Sequence, residues 1–296
     1  MTLIPATPGL DAPVRIRLAG SAAFPVIVSV PHAGRWLPQS VADQARAPLP
    51  VLARLSDPWA DLIAAPLLAA GASLVTARLA RAVADCNRHE GDMDPADLTP
   101  ALRPGFGPPG RKARAGLGVV PTRLPGAGPL WRHPLSAAEL DQRLEAIHRP
   151  YHRALDGAVQ AMLRRCGQVV LIDLHSMPSL PIGRADPRPA QIVLGDRFGR
   201  SAAPMLAAQT AAQAAPSQAR IAINQPYAGG HIIERHGRPH GGVHAVQVEF
   251  DRQLYLDGAG LPVADRALAL GDWLCAQARL WCDLLADRDA ALMAAE

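Results

Sequence analysis

Five strand-like runs, Val26–Val30, Ser73–Ala77, Val169–Leu174, Gln191–Leu194 and Val243–Phe250, are separated by alanine-rich helical stretches. This alternation commits the chain to an α/β architecture, because each strand must hand its apolar face to a helix before the next strand begins. The clearest helix start is Ser136-Ala137-Ala138-Glu139, a capping box whose helix runs on with a kink expected at Pro150. Residues 201–215 read as a second helix and 262–295 as a long amphipathic one. With 296 residues, 49% of them hydrophobic, the chain has enough apolar surface for one sizeable domain.

Composition narrows the classes of partner. The net charge of +4 and pI near 9.2 come from arginine, with Lys112 the only lysine. Arg164-Arg165 and Arg111-Lys112 with Arg114 are short clusters without interleaved aromatics, so they read as solvated surface and nucleic acid is not an expected partner. Cys86, Cys166, Cys275 and Cys282 are scattered without a CxxC pair and are expected as reduced thiols. The N-terminal MTLIPATPGLDAPVRIRL shows no charged leader followed by an apolar core, and from this a cytoplasmic location is expected. The longest apolar run, Leu62–Ala77, is broken by Pro66, Gly71 and Ser73 and is too short to span a bilayer, so no membrane association is expected.

Residues 95–134 differ from the rest: Pro and Gly recur and periodicity is weak. A loop of this length is either a cover over a site or a mobile insertion.

Chemistry concentrates at strand ends and in one glycine-punctuated segment. His32 follows the first run in VSVPHAG, and His175 stands near the end of LIDLHS, where Asp173 shares its strand face by the two-residue period. Two imidazoles at strand ends are natural metal ligands, and a catalytic zinc needs a third protein donor. Asp57 and Asp61 in SDPWAD are the candidates, although Asp57 also reads as a simple helix N-cap. In RAVADCNR, Asn87 and Arg88 form a natural clamp for a substrate carboxylate; the alternative is a structural pair between Asp85 and Arg88.

The segment 226–255 carries His231, His236, His240, His244 and Glu249 among paired glycines. In its strand Gln247 and Glu249 are neighbours on one face, which is either a water-facing surface or a site. His244 just precedes Glu249's stretch and is a candidate to orient groups there, while the other three read as solvent-exposed. His148 and His152 have i,i+4 spacing but Pro150 between them, and are read as structural. Cys86 reads as a buried thiol.

Taken in order, VSVPHAG, SDPWAD, RAVADCNR, LIDLHS and GGVHAVQVEFDRQLYLD resemble the pattern of N-formylglutamate amidohydrolases across roughly residues 24–257. That resemblance implies a zinc carboxypeptidase-like fold, a mixed central sheet flanked by helices with one zinc at strand ends. It further implies His32 and His175 as zinc ligands, Glu249 as general base, and Asn87 and Arg88 as the holders of the carboxylate of a small N-acyl amino acid, most simply N-formyl-L-glutamate. The carboxypeptidase HxxE spacing is absent, since Arg35 stands three after His32; Asp57 is taken as the carboxylate ligand, with Asp61 as the alternative. Deacylation of another N-acyl amino acid, peptide cleavage on the same scaffold, and a non-catalytic metal-binding or ligand-binding protein are the competing readings. A metal-free serine hydrolase is disfavoured because no GxSxG elbow occurs.

Overall fold

The computed structural model describes residues 2–6, 12–19, 24–100, 106–182 and 188–293. A seven-stranded sheet organises it, built from β1 (Val14–Arg17), β2 (Val26–Val30), β3 (Ser73–Ala77), β4 (Val169–Met177), β5 (Ile192–Gly195), β6 (Ile221–Ile223) and β7 (Val243–Asp251). Their spatial order is β6-β5-β7-β4-β2-β3-β1. β4 runs parallel to both β2 and β7, β5 is antiparallel to β7, and β6 is parallel to β5. The interior strands β2 and β4 are buried at every residue, which explains why they read as near-continuous apolar runs.

The chain forms two compact units. The first comprises Met1–Ile16, Pro31–Pro58 and Val75–Leu155. It holds a short parallel ladder of Ile4–Ala6 with Trp36–Pro38, helix α1 (Ala137–Arg143) and the start of α2 (Arg149–Cys166). The capping box of α1 is formed: Ser136 Oγ accepts from the Glu139 amide, and the Glu139 carboxylate accepts from the Ser136 amide at 2.8 Å. The expected kink is a π turn over Leu144–His148, in which the Arg149 N–H reaches back five residues to the Leu144 carbonyl. Pro150 accounts for it, since its ring clashes with a carbonyl four residues back and it supplies no N–H.

The 95–134 segment is packed rather than loose where it is described, and its Leu117 carbonyl accepts from Arg88 Nε at 3.2 Å; residues 101–105 lie outside the described set. Val119, Val120, Leu130 and Trp131 are buried, and Arg143 stacks 3.9 Å over the Trp131 ring. Short pieces, a helical turn at Arg111–Arg114 and a ladder of Arg123–Leu124 with Gly128–Pro129, replace the expected featureless loop.

The second unit comprises Arg17–Val30, Trp59–Leu74 and Asp156–Glu296, and holds β2, β4, β5, β6 and β7 entire. Its helices include α3 (Pro204–Ala211), α4 (His231–His236) and α5 (Ala264–Met293). The reading of 201–215 and 262–295 as helices stands, apart from their ends; 294 and 295 lie outside the described residues. The apolar side of α5 is buried through Ala267, Leu270, Leu274, Ala278, Trp281 and Leu285. Trp281 Nε1 donates to Thr210 Oγ1 at 2.8 Å, so this buried indole keeps its hydrogen bond. Among the described residues no helix is long and apolar enough to cross a membrane.

Candidate metal centre

His32 lies two residues past β2, where Gly34 lets the chain press against Leu79: a Cβ on Gly34 would sit 1.9 Å from the Leu79 carbonyl oxygen. The Asp57 amide donates to the His32 carbonyl at 2.9 Å, which ties the two segments together and brings Asp57 Oδ2 to 3.4 Å from His32 Nδ1. On its other side His32 Nε2 donates to Asp85 Oδ1 at 2.7 Å. Arg81 grips the second oxygen of Asp85 through Nε at 2.9 Å and Nη2 at 2.7 Å, and the Asn87 amide adds a bond of 2.8 Å. Burial opposes a charge on Asp85, but the cations of Arg81 and Arg88 and the His32 ring outweigh it and hold the carboxyl well below its usual range. A carboxylate fixed in its ionised form keeps the imidazole proton on Nε2 and leaves the lone pair on Nδ1, toward Asp57.

The same device recurs on the sheet. His175 Nε2 donates to Asp173 Oδ2 at 2.9 Å, and Ser29 Oγ donates to Asp173 Oδ1 at 2.8 Å. Ser29, Asp173 and Gln247 stand in one row across β2, β4 and β7. His175 and Glu249 form the row two residues further on, so their side chains leave the same face of the sheet on strands about 4.8 Å apart. Glu249 is half-buried and accepts from Gln247 Nε2 at 2.8 Å.

His32, Asp57 and His175 are all buried, and each offers one ligand atom within 4.8 Å of the others. Two nitrogens and one carboxylate oxygen are the donor set of an open catalytic zinc site, and the 3.4 Å between His32 and Asp57 matches the spacing of donors each about 2.1 Å from a tetrahedral ion. Carboxylates on the far nitrogen of both imidazoles complete the outer-shell arrangement such sites use. Asp61, in the first turn of the helix Ala60–Ile63, is not part of this group.

Asn87 is buried and Arg88 partly exposed. Arg88 donates Nε to the Leu117 carbonyl at 3.2 Å and Nη1 to the Asn87 carbonyl at 2.8 Å. The carbonyls on either side of Asn87 are held by the two histidines read as structural: His152 Nε2 reaches Cys86 O at 2.9 Å and His148 Nε2 reaches Arg88 O at 2.8 Å. Cys86 is buried, and all four cysteines are free thiols.

Several expectations need correction. Asp57 caps no helix; the N-cap position belongs to Trp59, which is left-handed at φ 61. The salt-bridge partner of Asp85 is Arg81 rather than Arg88. The strand of Glu249 is interior, between β4 and β5, and on its polar face Gln247 is buried and Glu249 half-buried, so this is not a water-facing surface strand. His236 is fully buried with Nδ1 3.0 Å from Asp156, whereas sequence placed it in solvent. His244 projects to the opposite strand face from Glu249 and accepts the Ala203 N–H, so it orients nothing at Glu249. Asp85 as the partner of His32 was not anticipated; the signal available was a carboxylate inside an apolar run, which burial obliges to find a counter-charge.

The family model for N-formylglutamate amidohydrolase matches residues 24–256. An N-formylglutamate deformylase of Pseudomonas aeruginosa is 31% identical over 253 residues, covering 82% of this chain and 86% of the relative. The N-formylglutamate deformylase of Pseudomonas putida is 31% identical over 245 residues, covering 79% and 82%. The crystal structure of an N-formylglutamate amidohydrolase from Ralstonia eutropha JMP134 superposes with a TM-score of 0.83 at 30% identity, covering 92% of this chain and 99% of that one. A gene product from Agrobacterium tumefaciens shares the fold at a TM-score of 0.62 and 20% identity.

Proposed function

The chain belongs to the N-formylglutamate amidohydrolase family, and from that premise we propose that it hydrolyses N-formyl-L-glutamate to formate and L-glutamate with a zinc ion held by His32, Asp57 and His175. The observation that carries this reading is the buried His32, Asp57 and His175 cluster with Glu249 in register beside His175. When bound, the ion supplies Lewis acidity toward the formyl oxygen and acidifies a water. Glu249 takes a proton from the attacking water and delivers it to the amine nitrogen as the C–N bond breaks, so the water oxygen leaves in formate and the proton leaves on glutamate. Asp85 and Asp173 keep both imidazoles in the tautomer that presents Nδ1. Arg88, with Asn87 beside it, pairs a substrate carboxylate, because a guanidinium matches that group in shape and charge. The reaction is assigned to the cytoplasm, in keeping with four free thiols.

The test is formate or acetate release from a panel of N-formyl and N-acetyl amino acids, together with a C-terminal peptide. N-formyl-L-glutamate is expected to give the highest kcat/KM. A higher value for an N-acetyl amino acid or the peptide would move the substrate assignment to that class, and no turnover of any of them by metal-loaded protein would leave a binding protein.

A further inference from the structure

We propose that Gln247 is a positioning residue for catalysis, a fixed donor that aims the Glu249 carboxylate; this rests on the assignment of Glu249 as general base. The amide of Gln247 lies between two partners that settle its orientation. The Gly230 N–H, which can only donate, is 2.8 Å from Oε1, so the other end of the amide is the NH₂ group. That group can only donate in turn, and it meets Glu249 Oε1 at 2.8 Å. An amide whose two ends are both claimed cannot flip, so one oxygen of Glu249 is held in a single place and the orientation of the carboxylate is fixed with it.

Local structure supplies each part of this relay. Gln247 and Glu249 share a face of β7 by the two-residue period, and Gln247 is buried. Gly195 is its register partner on β5, so no side chain crowds the amide from that strand at this position. The far end of the relay is anchored by the 229–230 turn. Gly229 adopts φ 115, a backbone conformation that residues with a Cβ rarely adopt, so the approach of the chain to α4 requires glycine here. Gly230 is the N-cap of α4, and α4 is fixed by the buried Ile232 and Ile233 and by the His236 contact to Asp156. The donor to Glu249 is thus referred to a packed helix rather than to a loose loop.

A glutamine that served only to secure Gly230 would cost the same when replaced with or without Glu249, since its work is done at the 229–230 backbone. A glutamine that aims Glu249 would cost kcat only while Glu249 is present, because glutamate and methionine both lack its NH₂ and glutamate also sets a second negative charge beside the base. The experiment measures kcat, KM and bound metal for the native protein, Gln247→Glu, Gln247→Met, Glu249→Gln and the two double variants with Glu249→Gln. Expected is a fall in kcat of roughly 10- to 100-fold in both single Gln247 variants, with KM and metal content unchanged, since misplacing a reacting group by about an ångström costs that much. In the Glu249→Gln background, itself about 10²–10⁴-fold slow, the Gln247 changes should cost nothing further. Native kcat in Gln247→Glu overturns the proposal, as does a loss of the same size with or without Glu249; should Gln247→Met not fold, Gln247→Glu decides alone. A fully active Glu249→Gln removes the general-base assignment itself, and the proposal with it.

Discussion

His32 and Asp85, 53 residues apart in sequence, meet at 2.7 Å, and Arg81 holds Asp85 ionised from the far side. His175 has the same relation to Asp173 at 2.9 Å. Asp85→Asn and Asp173→Asn are therefore expected to fold and still take up zinc, but with affinity lowered by about 10–100-fold, because the imidazole loses the group that fixes its tautomer and raises its basicity. Competition against a zinc-chelating dye reads this directly. Native affinity in both variants would make the carboxylates ordinary buried partners.

The clamp is tested by its geometry. Arg88→Lys keeps the charge but not the two parallel donors, so it is expected to raise KM for N-formyl-L-glutamate while kcat falls less. N-formyl amino acids should be cleaved far better than the matching amides that lack a free carboxylate, and the gap should shrink in Arg88→Lys. Equal rates for acid and amide in the native protein would free Arg88 from substrate and leave its bonds to the Leu117 and Asn87 carbonyls as its role.

Acid stability is set in part away from the site. Burial, reinforced by Arg288, pushes the pKa of His244 down from its usual 6.5 to about 4. Between these values the unfolded chain binds a proton that the folded one refuses, so the stability is fully present above 6.5 and is lost as pH falls toward 4, by on the order of 3 kcal/mol at the acid end. Urea unfolding at about pH 7 and about pH 4.5 is expected to show a smaller acid loss in His244→Gln than in the native protein. An equal loss in both would remove His244 as a cause.

Where the physical chemistry is local, structure is legible in the sequence. The runs VIVSV and SLVTA form β2 and β3 with the expected bounds, and Ser136 with Glu139 forms its capping box, because each depends on neighbours within a few residues. The shared face of Gln247 and Glu249 followed from strand period alone and is borne out by their hydrogen bond. Long-range pairings were not legible: nothing near Asp85 in sequence points to His32. His236 looked exposed because glycines surround it, yet it ends α4 against Asp156. The 95–134 segment lacked a period because its buried residues pack from short irregular pieces rather than from one helix or strand.

One catalytic zinc is expected on His32, Asp57 and His175. The measurement is formate release from N-formyl-L-glutamate by chelator-stripped protein as zinc is titrated back. Activity is expected to be absent at the start and to saturate at one zinc per chain, with saturation moved to zinc concentrations higher by orders of magnitude in His32→Ala, His175→Ala and Asp57→Asn, and unmoved in Asp61→Asn. Full formate release before any zinc is added, or a titration unchanged in His32→Ala and His175→Ala, would contradict it.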